Sequence, residues 1–231
     1  DLFWELQDLM KYGTATTNLG ITMMKLGEPI QAQRYYQEAY EINRQIGSRS
    51  RVAGTLGNLG ILATMRGDYE QAVAHFRIVL AEFIETKERW AATLAYLNLG
   101  RVTLFLEDFA AAEAYSRAAL SGFQEIKHKP SEGMGWGLLG MLSLRIGDYE
   151  RAKQHLEQAK QLFEQAEVQR NIAQVDILLG WLAWRQGNLT EAEHFLRASL
   201  QLLEKVGERT MEAQAWLHLG YVQQAREEWA E

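Results

Sequence analysis

Apolar residues recur along this chain at intervals of three and four, in segments of about 17 residues, with polar residues between them. One stretch shows the pattern. Leu56, Leu59, Ile61, Leu62 and Met65 lead up to Gly67-Asp68, and Tyr69, Ala72, Val73, Phe76, Val79, Leu80 and Phe83 follow it. Such spacing puts each set on one helical face and predicts two helices joined by a tight turn. Glycine takes positive φ where the first helix ends, and the acid caps the start of the second. A helix of about 17 residues is about 25 Å long, and one such pair cannot bury both its faces. Stacked pairs can.

The pair recurs. Leu-Gly stands at Leu19-Gly20, Leu59-Gly60, Leu99-Gly100, Leu139-Gly140, Leu179-Gly180 and Leu219-Gly220, a constant interval throughout. Seven positions beyond come Gly27, Gly67, Glu107, Gly147 and Gly187, followed by Glu28, Asp68, Asp108, Asp148 and Asn188. Further on stand Ala32, Ala72, Ala112, Ala152 and Ala192, then Ala39, Val79, Ala119, Ala159 and Ser199. Small side chains at these places let neighbouring helices approach.

The pattern L-G-x6-G-D-Y-x2-A resembles the tetratricopeptide repeat in a 40-residue form. It is similar to the repeats of Leu-Gly-Asn adaptors, kinesin light chains and MalT-like regulators. It departs from the first of these just after Leu-Gly, where Ile21, Ile61, Arg101, Met141, Trp181 and Tyr221 replace the asparagine. The fold expected is all-α, a right-handed superhelical solenoid of antiparallel helix hairpins. In this register repeats fall at 10–48, 49–88, 89–128, 129–168 and 169–208, with the first helix of a sixth at 209–231. Phe3 and Leu6 match the positions of Phe83 and Ile46, so residues 1–9 read as the tail of a preceding second helix. Glu227-Glu228-Trp229 falls at a turn position. The whole reads as one array cut from a larger protein, with open ends that could self-associate.

Composition narrows the function. With 47% hydrophobic residues and two prolines among 231, the chain can bury a substantial core. A net charge of −6 without a basic tract argues against direct nucleic-acid binding. No apolar run approaches a membrane span, and the start lacks the form of a signal peptide. Cysteine is absent, which removes disulfides, thiolate metal sites and cysteine nucleophiles and agrees with a cytoplasmic setting.

Motifs of chemistry fail on context. Gly135, Gly137 and Gly140 spell G-x-G-x-x-G, but no strand precedes them and all lie in a first helix, so a dinucleotide site is not expected. These glycines, with Gly54 and Gly57, serve either close helix packing or backbone approach by a ligand. Glu191 and His194 form an E-x-x-H that needs a second copy to hold a metal. His75 and His155 share a repeat position but stand two units apart. No H-E-x-x-H, Walker loop or G-x-S-x-G occurs. The expectation is a protein without catalysis, cofactor or metal.

The resemblance implies that first helices line a concave groove, which positions two before and one, four and five after the Leu-Gly glycine would face. Asn18, Asn58 and Asn98 share one such place, with His218 at its last occurrence. Their amides suit an extended peptide backbone, or else bridge neighbouring helices. Arg101, Arg145 and Arg185 offer charge for acidic groups. Leu138, Met141, Leu144, Leu178, Trp181, Trp184 and Tyr221 suggest an apolar second half, so the groove is expected to run from polar to apolar. The reading is a scaffold for a protein or peptide partner in a signalling or regulatory protein. Its rivals are a small-effector sensor, with Trp181, Trp184 and Arg185 around a metabolite, and a self-associating structural segment.

Overall fold

The computed structural model describes residues 2–228, and the side chains of 7–227. The described residues form helices and short turns, with no strand. The first five helices are α1 (Leu2–Lys25), α2 (Pro29–Gln45), α3 (Arg49–Arg66), α4 (Tyr69–Glu85) and α5 (Arg89–Phe105). Then come α6 (Phe109–Ile126), α7 (Lys129–Ile146), α8 (Tyr149–Gln165), α9 (Gln169–Arg185), α10 (Leu189–Val206) and α11 (Arg209–Glu228). The chain divides into two compact units, Asp1–Ala119 and Leu120–Glu231. Within the first unit α1 to α5, and within the second α7 to α11, each helix packs on the next as an antiparallel pair, the arrangement of an all-α tetratricopeptide-like solenoid.

In the first unit two of the Leu-Gly glycines, Gly20 and Gly60, seat aromatic rings. A Cβ on Gly20 would lie 2.5 Å from the Tyr36 ring, and one on Gly60 would lie 2.8 Å from that of Phe76. Around these contacts, Phe76 packs with Ala63, Ala72, Leu99 and Val102, and Leu56 packs with Ala53, Val79, Phe83 and Ala95. Burying a side chain such as Phe76 is worth about 1.5–3 kcal/mol, and no methyl group fits between it and Gly60.

The second unit repeats the design with leucine in place of the rings. A Cβ on Gly140 would meet Leu156 at 2.6 Å, and one on Gly180 would meet Leu196 at 2.7 Å. Packing also explains two more glycines of α7: Gly133 faces Phe163, and Gly135 faces Leu120, at would-be Cβ distances of 2.8 and 3.2 Å. Gly137 has only an ordinary contact, Ala159 at 4.0 Å. The G-x-G-x-x-G spacing is thus largely a helix-packing pattern.

The turns recur at half the sequence repeat. Gly27, Gly47, Gly67, Gly147, Gly187 and Gly207 take positive φ, and so do Lys87, Glu107, Lys127 and Glu167 between them. Each such turn closes on the preceding helix; Gly67 N–H, for example, donates to Thr64 O at 3.2 Å, and Asp68 N–H to Ala63 O at 2.9 Å. The capping expected of the acids is partial. Asp108 and Asp148 each accept a backbone N–H, from Ala111 and Arg151, at 3.1 Å. Asp68 makes no side-chain cap, and its carboxylate lies 3.5 Å from Arg66 Nε instead.

The ends differ from what the register leads one to expect. The described part of this stretch, residues 2–9, is not set off by a turn: α1 runs unbroken from Leu2 to Lys25, with Gln7 at the place a turn would occupy. Staying helical keeps the backbone groups there within one hydrogen-bond ladder. The side chains of Phe3 and Leu6 lie outside those described. At the other end α11 continues through Glu227 to Glu228, and Trp229 lies outside the described residues.

Candidate functional site

In the first unit, α1, α3 and α5 carry the same stripe at i, i+3 and i+7, which places its members on one face of each helix. The stripes are Asn18, Ile21 and Lys25; Asn58, Ile61 and Met65; and Asn98, Arg101 and Phe105. Asn18 is exposed, and Asn58 and Asn98 are half-buried. None of the three amides makes a hydrogen bond among the described residues, so none bridges helices there. Beside them Ile61 is 44% and Met65 67% exposed, large values for apolar side chains. Phe105 stacks on Tyr69 with ring centroids 5.1 Å apart. Arg101 is exposed and engaged with other groups of the chain.

One turn before Asn58 the surface drops to bare backbone. A Cβ on Gly54 or Gly57 would meet nothing within 4 Å, so packing does not explain these two glycines. Arg51, on the same helix, ties α3 to α1 by donating to Met10 O at 3.2 Å and Thr14 Oγ1 at 3.1 Å. The first unit therefore offers unpaired amides, exposed aliphatic groups and open backbone side by side.

The second unit differs from what its sequence suggests. Leu138 and Leu144 are buried; Leu144 packs with Leu156, Val175 and Leu179, and Leu178 lies half-buried against that cluster. Trp181 and Trp184 are also half-buried, each against a core cluster. The Arg185 guanidinium sits 5.8 Å from the centre of the Trp181 ring, and its Nε donates to Tyr149 OH at 3.1 Å. Trp184 stacks on Tyr221 at 5.6 Å, and His218 meets Tyr221 edge-on at 6.0 Å. Burial lowers the pKa of His218, whose Nδ1 is buried without a partner among the described residues. Met141 is half-buried, and Arg145 is exposed with a partner in the chain.

The expected apolar second half is accordingly reduced: Leu138 and Leu144 are buried, while Tyr221 stays exposed and Met141, Trp181 and Trp184 half-buried. The unit with the asparagines exposes the aliphatic groups, whereas the leucines of the other unit went into its core. Alternation on a helix cannot separate a groove-lining leucine from one that faces the next hairpin, because the two positions are a single residue apart. The open backbone at Gly54 and Gly57 was visible in the sequence only as unexplained glycine.

Three of the candidate metal residues make other contacts. Glu191 lies 3.8 Å from Lys153, His194 packs against the Phe195 ring, and His155 Nδ1 lies 3.2 Å from Ser143 Oγ. Among the described residues no three such groups gather to hold a metal ion, and no helix is long and apolar enough to cross a membrane.

Repeated hairpins around small-residue sockets, with one helix face left unpaired, define a helical repeat scaffold. The chain belongs to the tetratricopeptide repeat family: one family model matches residues 12–81 and 90–165, and a second matches 138–205. No curated protein matches it in sequence. Among solved structures it resembles BtubC from P. vanneervenii, with 17% identity, a TM-score of 0.68, and coverage of 90% of this chain and 93% of that one. It also resembles the Rap conjugation gene regulator of plasmid pLS20, solved with the Phr* peptide, at 17% identity and a TM-score of 0.79. A third is a signal transduction ATPase with a tetratricopeptide repeat sensor from Pyrococcus horikoshii, at 17% identity and a TM-score of 0.71. The last two comparisons cover 94% and 93% of this chain but 62% and 33% of the larger proteins. At such identities the likeness is one of fold.

Proposed function

We propose that this chain is a peptide-binding segment of a larger signalling or regulatory protein, with no reaction of its own. The observation that carries this reading is the face of the first unit, where Asn18, Asn58 and Asn98 have no hydrogen-bond partner among the described residues and stand beside exposed Ile21, Ile61 and Met65. An extended peptide has the matching chemistry: backbone N–H and C=O groups for the amides, and side chains for the aliphatic surface. The likeness to a regulator solved with a peptide and to a sensor repeat supports the same reading.

In the second unit Met141, Arg145, Trp181, Trp184, Arg185, His218 and Tyr221 are proposed to form a further contact patch. Within it Trp184 stacks on Tyr221, His218 meets Tyr221 edge-on and Arg185 covers the Trp181 ring. That favours a surface that grips a partner's side chain over a cage around a metabolite.

The test is peptide selection from a random library, followed by titration of the selected peptides. Replacing Asn18, Asn58 and Asn98 with alanine together removes three hydrogen bonds of about 0.5–1.5 kcal/mol each, so affinity should fall about tenfold or more. Helix content should be unchanged, because the amides hold nothing in the fold. Selected peptides that bind the triple variant as tightly as the original chain would refute the reading.

A further inference from the structure

One joint of the array departs from all the others. Midway between successive Leu-Gly glycines stand Tyr40, Leu80, Leu120, Lys160 and Leu200, on the second helix of each hairpin. Four before the next such glycine, on the following first helix, stand Leu56, Tyr96, Trp136, Asp176 and Trp216. At four joints both positions are aliphatic or aromatic. Between α8 and α9 both are charged, and with opposite sign.

The two charges meet. Lys160 Nζ lies 2.7 Å from Asp176 Oδ1, with the aspartate side chain 2% and the lysine side chain 25% exposed. The ammonium also lies 5.3 Å from the centre of the Phe195 ring on α10. Replacing such a buried pair by apolar residues is often neutral or stabilising, while leaving one buried charge unpaired is strongly unfavourable. Stability is therefore a poor reason for this joint to differ, and the asymmetry between paired and unpaired suggests another.

An array of similar hairpins has a particular hazard. Any second helix can dock on the wrong first helix, in its own chain or in another copy, because the docking surfaces recur with the period of the sequence. We propose that Lys160 and Asp176 form a matched pair that fixes the order of hairpins, by making α9 the one acceptable partner for α8. Against α3, α5, α7 or α11, Lys160 would meet Leu56, Tyr96, Trp136 or Trp216 and lose its counter-charge. Against any other second helix, Asp176 would meet tyrosine or leucine. Wrong docking then buries an unpaired charge, whereas docking among the apolar joints carries no such penalty.

The test is refolding of the whole chain from denaturant at high concentration, with the monomer fraction read by size exclusion and light scattering. Lys160→Leu and Asp176→Leu alone should each lower Tm. The double variant Lys160→Leu/Asp176→Leu should keep a Tm close to that of the original chain, yet refold with about threefold or more dimer and higher species. A second double variant, Lys160→Leu/Asp176→Tyr, copies the Leu80 and Tyr96 joint and guards against a poor fit of two leucines. If either double variant stays folded and refolds to monomer as cleanly as the original chain, the proposal is overturned. Loss of Tm in both double variants as large as in the single ones would also overturn it, since the pair would then act through stability.

Discussion

A methyl group added at each glycine separates two kinds of residue that look alike in the sequence. Gly140→Ala would push a Cβ against Leu156 and should lose about 1–3 kcal/mol, the usual cost of overpacking a helix contact. Gly54→Ala and Gly57→Ala meet nothing and should each gain about 0.5–1 kcal/mol, since glycine inside a helix is unfavourable by that amount. Urea denaturation of the three variants checks both signs, and a loss at Gly54 or Gly57 would mean that these positions are packed after all. Asp176 gives a second prediction at this scale. Burial raises its pKa, and Glu164 adds to the rise, while Lys160 and His194 oppose it. An acid whose pKa is higher in the folded chain binds protons more tightly there. Its contribution to stability is fully present below the unfolded pKa and is lost as pH rises through the folded value. A carbon NMR titration should place the Asp176 midpoint above the ordinary aspartate range, and Lys160→Met should move it higher still; a midpoint at or below that range would contradict the assignment.

At the scale of the helix and its turn, the half-repeat was only partly legible. The turn within each hairpin carries a Gly-Asp signature at Gly67-Asp68 and Gly147-Asp148, and could be read directly. The turn between hairpins has the same left-handed geometry, but Lys87, Lys127 and Glu167 occupy it where glycine would announce it. The backbone conformation is set by the helices on either side, and the residue at the turn tolerates it at a cost. Replacing Lys87, Glu107, Lys127 or Glu167 with glycine should therefore raise stability by about 0.5–1 kcal/mol each, measured as a rise in Tm by calorimetry. Caps follow local geometry in the same way. Asp148→Ala should cost about 1 kcal/mol because it accepts the Arg151 N–H, and Asp68→Ala distinctly less, because its carboxylate turns to Arg66.

For the molecule as a whole, the strict sequence period made the family readable, because Gly20, Gly60, Gly140 and Gly180 each seat a ring or leucine at the same distance further along the chain. The candidate site was less legible. The asparagine row was found from register alone, but its lack of hydrogen bonds, the exposure of Ile61 and Met65, and the burial of Leu138 and Leu144 depend on how deeply adjacent hairpins interlock. That depth is a property of packed surfaces and has no one-letter signature. The central claim is that the face bearing Asn18, Asn58 and Asn98 receives a peptide, and amide chemical-shift mapping with a library-selected peptide tests it most directly. The account predicts that the shifts cluster on α1, α3 and α5, around Gly54, Asn58, Ile61 and Asn98, and shrink when the three asparagines become alanine. Shifts confined to the opposite faces of these helices, or unchanged by the alanines, would contradict it.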